Sequence, residues 1–398
     1  MRRRLALVAA LLSTIAVARS SEAPLPPQDA YVWQRRWTPA LRAALAGSAA
    51  LVTQWRVLVA ETDGGGALVP VDVDWSALGA TRRPVIAVIR IDGTLARLDE
   101  AALLGRIRAL ALRGKAAGLE IDYDCATARL AAYGRFLTRL RAMPDLPSRL
   151  SITALPAWMG AASLPAVLAQ TDEAVLQVHA VEAPENGLFD AGRARRWIDV
   201  FAALSPGRFR VALPDYGARA DFDADGRLLA IESEVPRLAG GVRTGEMMAM
   251  PADAARLLRS LRDDPPEGFA GIVWFRLPTA DDALTWSSAT WRAVLRGDTL
   301  DAAVTAERRP TAKPGLDDIV LLNRGDIDAP LPQAIDLPPS CRPADGVNGY
   351  ALEDGAGAPA LERHQSALLR GHHVRTIGWA RCAPFSATTG GEGLHVRP

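Results

Sequence analysis

Glu120, Asp122 and Asp124 stand at alternate positions in Gly118-Leu-Glu-Ile-Asp-Tyr-Asp-Cys125, and on a β-strand alternate residues share one face. Same-face neighbours lie roughly 6.5–7 Å apart, close enough for repulsion and partial burial to keep one acid protonated while another stays ionised. A neutral carboxylic acid beside a carboxylate is the pair that cleaves glycosidic bonds. Packing alone supplies no reason to line up three carboxylates.

Such a row acts only if the fold brings other groups to it. From residue 30 to 300 the chain alternates short β-rich runs with helix-length amphipathic stretches, the pattern of repeated strand–helix units around a parallel sheet. The spacing predicts strands at Tyr31–Trp37, Leu51–Val59, Pro84–Asp92, Gly118–Asp124, Arg149–Leu155, Ala174–Val181, Phe209–Asp215 and Gly271–Leu277. Helices are expected at Pro39–Ala46, Asp99–Gly114, Thr127–Met143, Leu164–Gln170, Ala191–Leu204, Ala252–Arg262 and Trp286–Arg296, with only a loop around Asp63-Gly-Gly-Gly66 after the second strand. Eight units over residues 25–300 match an α/β fold of the (β/α)8 TIM-barrel type. An open doubly wound sheet is the competitor, but no glycine-rich phosphate loop follows the first strand.

Beyond the barrel, Arg308-Arg-Pro-Thr-Ala-Lys-Pro-Gly315 reads as the end of a linker over 301–315. Residues 316–386 are expected to form a small C-terminal β-sandwich-like domain, with strands at Ile319-Val-Leu-Leu, Ala334-Ile-Asp-Leu337 and Val374–Trp379, and 387–398 a tail. Of three cysteines, Cys341 and Cys382 fall in this domain and are expected to pair in an oxidising compartment, leaving Cys125 buried and free.

Barrel active sites lie at the C-terminal ends of the strands, where the sequence places Trp33, Trp37, Glu61, Asp92, Asp122, Asp124, Trp158, His179, Glu182, Asp215, Tyr216, Trp274 and Arg276. Sugars stack on aromatic faces while carboxylates hold hydroxyls and transfer protons. We therefore expect Asp124 and Asp122 to be catalytic, and Trp33, Asp92, Trp158, His179, Asp215, Tyr216 and Trp274 to bind substrate. The competing reading of the cluster is a buried ion network, in which inward-pointing Arg90 pairs with Glu120. A lone strand histidine such as His179 also fits a satisfied core residue. No Gly-x-Ser-x-Gly elbow exists, and the adjacent His372 and His373 would face opposite sides of a strand.

Asp221-Phe-Asp223-Ala-Asp225-Gly226-Arg-Leu-Leu-Ala-Ile-Glu232 has the ligand spacing of a twelve-residue calcium loop. Its flanks lack the helices of an EF-hand, and the same residues read as a β-hairpin turning at Asp225-Gly226, an insertion near 218–245 overhanging the mouth. No other cofactor signature is present.

Arg2, Arg3 and Arg4, the apolar run Leu5–Val17 and the small-residue site Ala16-Val-Ala18 read as a signal peptide over 1–18, cleaved near Ala18. A periplasmic or secreted protein is expected, with no membrane span in its mature part. Loss of those arginines from a net charge of +1 leaves a slightly acidic chain with scattered charges, which excludes the basic footprint of a nucleic-acid binder.

Tyr31-Val-Trp-Gln, Leu119–Cys125, Leu150–Trp158 and Glu173–His179 resemble an uncharacterised bacterial family, domain of unknown function 3142. This resemblance implies an exported barrel protein. Gly118–Asp124 is also similar to the acidic fourth-strand motif of chitinase-type glycoside hydrolases, with Glu120 and Asp122 on the inner acid positions and Asp124 on the proton donor. Asp124 is one methylene shorter than that motif's Glu, and Ala117 replaces its first Asp. The expected function is that of an exported glycoside-hydrolase-like protein acting on a bacterial cell-envelope or extracellular polysaccharide. The alternative is a non-catalytic glycan-binding or envelope-associated protein on a degenerate hydrolase barrel.

Overall fold

The computed structural model describes residues 24–95, 99–111, 116–179, 187–225, 228–232, 243–353, 358–364, 367–382 and 393–398. The expected signal segment and Glu182 lie outside these residues. No helix among the described residues is long and apolar enough to cross a membrane.

All eight expected barrel strands are present: Gln28–Val32, Trp55–Thr62, Val85–Ile91, Gly118–Tyr123, Leu150–Ala154, Glu173–Gln177, Arg208–Pro214 and Phe269–Phe275. Each pairs in parallel with its neighbours, and the eighth returns to the first through Ile272–Trp274 against Gln28–Ala30, closing the barrel. The first strand begins and ends earlier than its apolar run suggests, which leaves Trp33 and Trp37 beyond its end. The second crossover is not a bare loop. It holds an antiparallel strand, Leu68–Pro70, and the helix Trp75–Ala80, whose first turn is capped by the Asp74 carboxylate accepting from Ala77 N. Six residues are too few for helical periodicity to show in the sequence.

Strand alternation divides each side chain row between two environments. Outward residues join the helices in the main core, as Ile121, Ile152 and Ile272 do. Inward residues fill the barrel: Tyr31, Leu58, Val88, Val175, Ala212 and Val273 form an apolar middle between two polar ends. Gly271 faces this interior at φ 139°, where a Cβ would collide with the Pro27 carbonyl oxygen and crowd the Arg210 guanidinium; only glycine suits both the backbone and the space.

After the seventh strand, Gly217–Phe222 pairs antiparallel with Leu228–Glu232 and Arg243–Met248. The expected hairpin thus gains a third strand. Asp221 lies opposite Ala230 and Glu232 opposite Arg219, so the two ends of the twelve-residue segment lie in paired strands, while Gly226 of the expected turn lies outside the described residues. Among the described residues, no group of three or more His, Cys, Asp or Glu could hold a metal ion.

The C-terminal region has two four-stranded sheets around a core that includes Ile319, Leu321, Ile335, Leu361 and Ile377. Cys341 and Cys382 form the expected disulfide, and Cys125 is free and buried. Within 301–315, expected as a linker, Val304–Pro310 is a strand paired with Asp317–Asn323. The turn residues close this hairpin, with Thr311 N donating to Leu316 O at 3.0 Å. In the expected tail, His395–Arg397 pairs with Ala334–Asp336, and Val396 packs on the core. This region grips the loop after the eighth barrel strand. Arg370 Nη2 donates to the carbonyls of Asp282 (2.6 Å) and Thr285 (2.9 Å), and Ser287 N donates to Asp328 Oδ2 (2.7 Å).

Candidate active site

The floor of the barrel is an ion network centred on Arg56. Its guanidinium contacts Asp29 at 3.2 Å and also pairs with Glu120 and Glu173, all fully or nearly fully buried. Arg210 adds contacts to Glu173 at 3.1 Å and Asp29 at 3.4 Å, and Arg149 reaches Glu173 at 3.0 Å. Burial works to raise the Glu173 carboxyl, but Arg56, Arg210 and Arg149 overcome it and hold the group below the usual range. Tyr31 and Ser151 complete the shell of Glu120, their hydroxyls donating to it at 2.6 and 2.9 Å. Glu120 is therefore structural, but its partner is Arg56, not the expected Arg90. The register explains this: Arg90 pairs with Asp122, one inward step above Glu120, which lies beside Val88.

At the upper end stand Trp33, Arg90, Asp122, Thr153, Gln177 and Phe275. Arg90 lies over the Trp33 ring with Cζ 5.7 Å from its centroid, a cation–π arrangement, and Trp33 packs edge-on against Phe275 at 5.0 Å. Asp122 is 4% exposed, and its Oδ1 accepts from the Thr153 hydroxyl at 2.7 Å and the Gln177 amide at 3.5 Å. Burial pushes its carboxyl up to about 8, Asp124 adds to the rise, and Arg90 and Thr153 only partly offset it. Asp122 is thus neutral at pH 7. Asp124 sits one residue past the strand and is exposed as a residue, yet its carboxyl is also raised, by desolvation first, with Arg90 opposing and Asp92 reinforcing. Solvent at this exposed position screens part of that effect.

His179 stacks on Phe275 and meets Tyr216 edge-on, both with centroids 5.7 Å apart. The residue keeps partial exposure, but its Nδ1 is shielded and has no hydrogen-bond partner. Burial lowers its ring to about 4, against a weaker opposing hydrogen bond at the Ala212 backbone. Tyr31, Trp33, Asp122, Thr153, Gln177, His179, Ala212 and Phe275 enclose a cavity of about 10 Å³. Beside it, Arg276 pairs with Asp282 at 2.6 Å and lies over Tyr216 with Cζ 5.9 Å from the ring centroid. Asp215 is fully buried, and no side chain hydrogen-bonds to its carboxyl oxygens. Burial raises it well above the usual range, although Arg276 opposes the rise.

Two expected sugar platforms are elsewhere. Trp274 points outward, since its neighbour Val273 faces the barrel interior; it packs on Trp286 and Trp291 and donates to Gln28 Oε1 at 2.7 Å. Trp158 lies in a short 3₁₀ turn, fully buried against Tyr133, and donates to the Cys125 carbonyl at 2.9 Å. Both belong to the helix-facing core. Asp92 caps its own turn by accepting from Thr94 N and Oγ1, and those bonds hold it below the usual range. Glu61 is held by Arg35 Nε and Nη2, each at 2.6 Å, and that pairing lowers it too. The Cys125 thiol is pushed up to about 11 by burial, far from a reactive thiolate.

The structure thus gathers Asp122, Asp124, Trp33, His179, Tyr216 and Asp215 around one mouth, and adds Tyr31, Thr153, Gln177 and Phe275. Parity of strand alternation from Glu120 could have selected those four. The assembled groups offer a neutral inner acid, an exposed outer acid and an aromatic wall.

Comparison with known proteins shows where this architecture occurs. The spore cortex-lytic enzyme SleL of Bacillus cereus superposes with a TM-score of 0.51 at 15% identity, over 70% of this chain and 75% of that one. SleL of Bacillus megaterium gives 0.51 at 14% identity over 70% and 76%. A chitinase from Chromobacterium violaceum gives 0.49 at 16% identity over 68% and 98%. The barrel therefore shares its fold with the two spore cortex-lytic enzymes. A search among curated proteins finds no match. Residues 306–383 match the domain of unknown function DUF8456. Residues 81–280, which run from the third barrel strand to the end of the eighth and include the whole acidic row, match the domain of unknown function DUF3142, and the chain belongs to that family.

Proposed function

We propose that this protein is an exported glycoside hydrolase acting on a bacterial cell-envelope or extracellular polysaccharide, with Asp124 as the proton donor and Asp122 as its partner. The observation that carries this reading is the pair of acids at the end of the fourth strand: a buried Asp122 pushed up to about 8 and a solvent-facing Asp124 also raised. An acid needs its proton near neutral pH and access to the glycosidic oxygen. Asp124 has the access. Asp122, neutral at rest, becomes the carboxylate that stabilises positive charge once its proton has passed to Asp124, which hands it to the glycosidic oxygen. Trp33 supplies the aromatic wall for the sugar.

The small cavity favours a second reading. A volume of about 10 Å³ beside Asp122 holds one water, far less than a sugar ring, as suits a protein that binds glycan at the rim without cleaving it. Incubation with peptidoglycan, chitin-type and exopolysaccharide glycans, with reducing ends and calorimetry read together, separates the two. Hydrolysis that disappears in Asp124→Asn while affinity stays within about twofold supports the enzyme. Binding without new reducing ends supports the second reading, and full activity in Asp124→Asn removes Asp124 as the acid.

A further inference from the structure

The cavity at the mouth has the volume of a single oxygen site, about 10 Å³, and a water needs that space with two to four polar partners. Trp33 and Phe275 form apolar walls, so the polar lining is decisive. Tyr31 is committed to Glu120 at 2.6 Å, and Thr153 donates to Asp122 Oδ1 at 2.7 Å. His179 Nδ1 is shielded from solvent and unpartnered, while its ring is held between Phe275 and Tyr216. A buried ring nitrogen without a partner is costly, and the cavity it lines is the place where one would fit.

We propose that this cavity is a one-oxygen site, in which a neutral hydroxyl-type oxygen, water or a sugar hydroxyl, accepts from the Asp122 carboxyl and donates to His179 Nδ1. His179 is then a positioning residue for the inner acid, acting through that oxygen. The protonation states agree: burial, then Asp124, pushes Asp122 up to about 8, and burial lowers His179 to about 4, so between those values one side is a donor and the other an acceptor. The charged and titratable groups facing Asp122 are Arg90 from the third strand, Glu120 and Asp124 from its own, Tyr31 from the first and Tyr133 from the following helix; those around His179 are Tyr216 and, beyond it, Arg276. The sugar-hydroxyl source rests on the glycan-acting reading above, whereas the water source does not.

The test uses the full chain labelled with ¹⁵N-histidine and ¹³C-carboxyl aspartate, followed by NMR against pH, with a high-resolution crystal structure. In the wild type an unprotonated, hydrogen-bonded His179 Nδ1 is expected, which needs no variant; a Nδ1 free of any hydrogen bond overturns the proposal. His179→Phe removes the acceptor and should lower the proton affinity of Asp122 about fivefold, the worth of one neutral hydrogen bond, while His179→Gln retains an acceptor and should restore it. Identical Asp122 titrations in all three proteins, or a dry cavity in the crystal, refute the proposal. With a bound oligosaccharide, displacement of the ordered water by a hydroxyl assigns the oxygen to sugar, and its retention assigns it to water. Failure to bind or cleave any glycan would sink the functional reading alone, since the titration and the ordered water are read on the free protein.

Discussion

Asp122→Asn offers the sharpest check on the electrostatics of the mouth. Asparagine has the shape of the neutral acid, and its carbonyl can still accept from the Thr153 hydroxyl that now lies 2.7 Å from Asp122 Oδ1. An ordinary aspartate titrates near 3.9, whereas burial raises Asp122 to about 8. Between these values the folded chain holds a proton that the unfolded chain has lost, so stability falls as pH rises and is lost through about 8. For one such group the proton contributes about 2.7 kcal/mol at pH 6 and about 0.4 kcal/mol at pH 8, a loss of about 2 kcal/mol over that window. His179, lowered to about 4, works in the opposite direction between 4 and its ordinary value, but it is present in both proteins and cancels in their difference. Urea denaturation of wild type and variant at pH 6, 7 and 8, read by tryptophan fluorescence, should show the variant gaining about 2 kcal/mol relative to wild type across the series. A difference that stays flat would mean Asp122 is already ionised at pH 6, and the account of the acid pair would be wrong.

Arg56→Met should cost about 3–5 kcal/mol in the same denaturation assay, because it leaves Asp29, Glu120 and Glu173 without their shared buried cation; a loss below about 1 kcal/mol would show that Arg210 and Arg149 suffice. Arg370→Ala should speed amide exchange across Asp282–Ser287 about tenfold by removing two bonds to loop carbonyls, and unchanged exchange would show that the loop holds itself. Replacing Cys341 and Cys382 together with serine opens a cross-link spanning a sequence separation of 41, and should lower the stability of the C-terminal β region by about 2–4 kcal/mol. Its denaturation midpoint should fall while the barrel's stays in place.

The barrel was legible because its signals are local. Each strand is a short β-rich run, each long helix a run of amphipathic periods, and eight repeats leave few architectures. Caps confirm the boundaries: Asp190 and Ser287 begin helices at Ala191–Leu204 and Ser288–Arg296 by accepting from Arg193 N and Thr290 N. The acidic row was equally local, since alternation alone puts Glu120 and Asp122 on the inner face. Where signals were short or shared with another element, the reading failed, as with the six-residue helix Trp75–Ala80 and the hairpin over Val304–Asn323 whose turn residues resemble a linker.

Residue types and spacing therefore determined the eight-unit barrel and the place of the acids, because periodicity and parity need no distant partner. Which cation meets which acid was decided by the tertiary structure. Arg56 and Arg90 both point inward, and only the register between strands sets Arg56 at the level of Glu120 and Arg90 beside Asp122. The tryptophans were separated in the same way: Trp33 lies inside the mouth while Trp274 and Trp158 face the helices. The state of Asp122 was likewise decided there, since a carboxyl is neutral or charged according to the atoms that replace its water, and those come from five different strands.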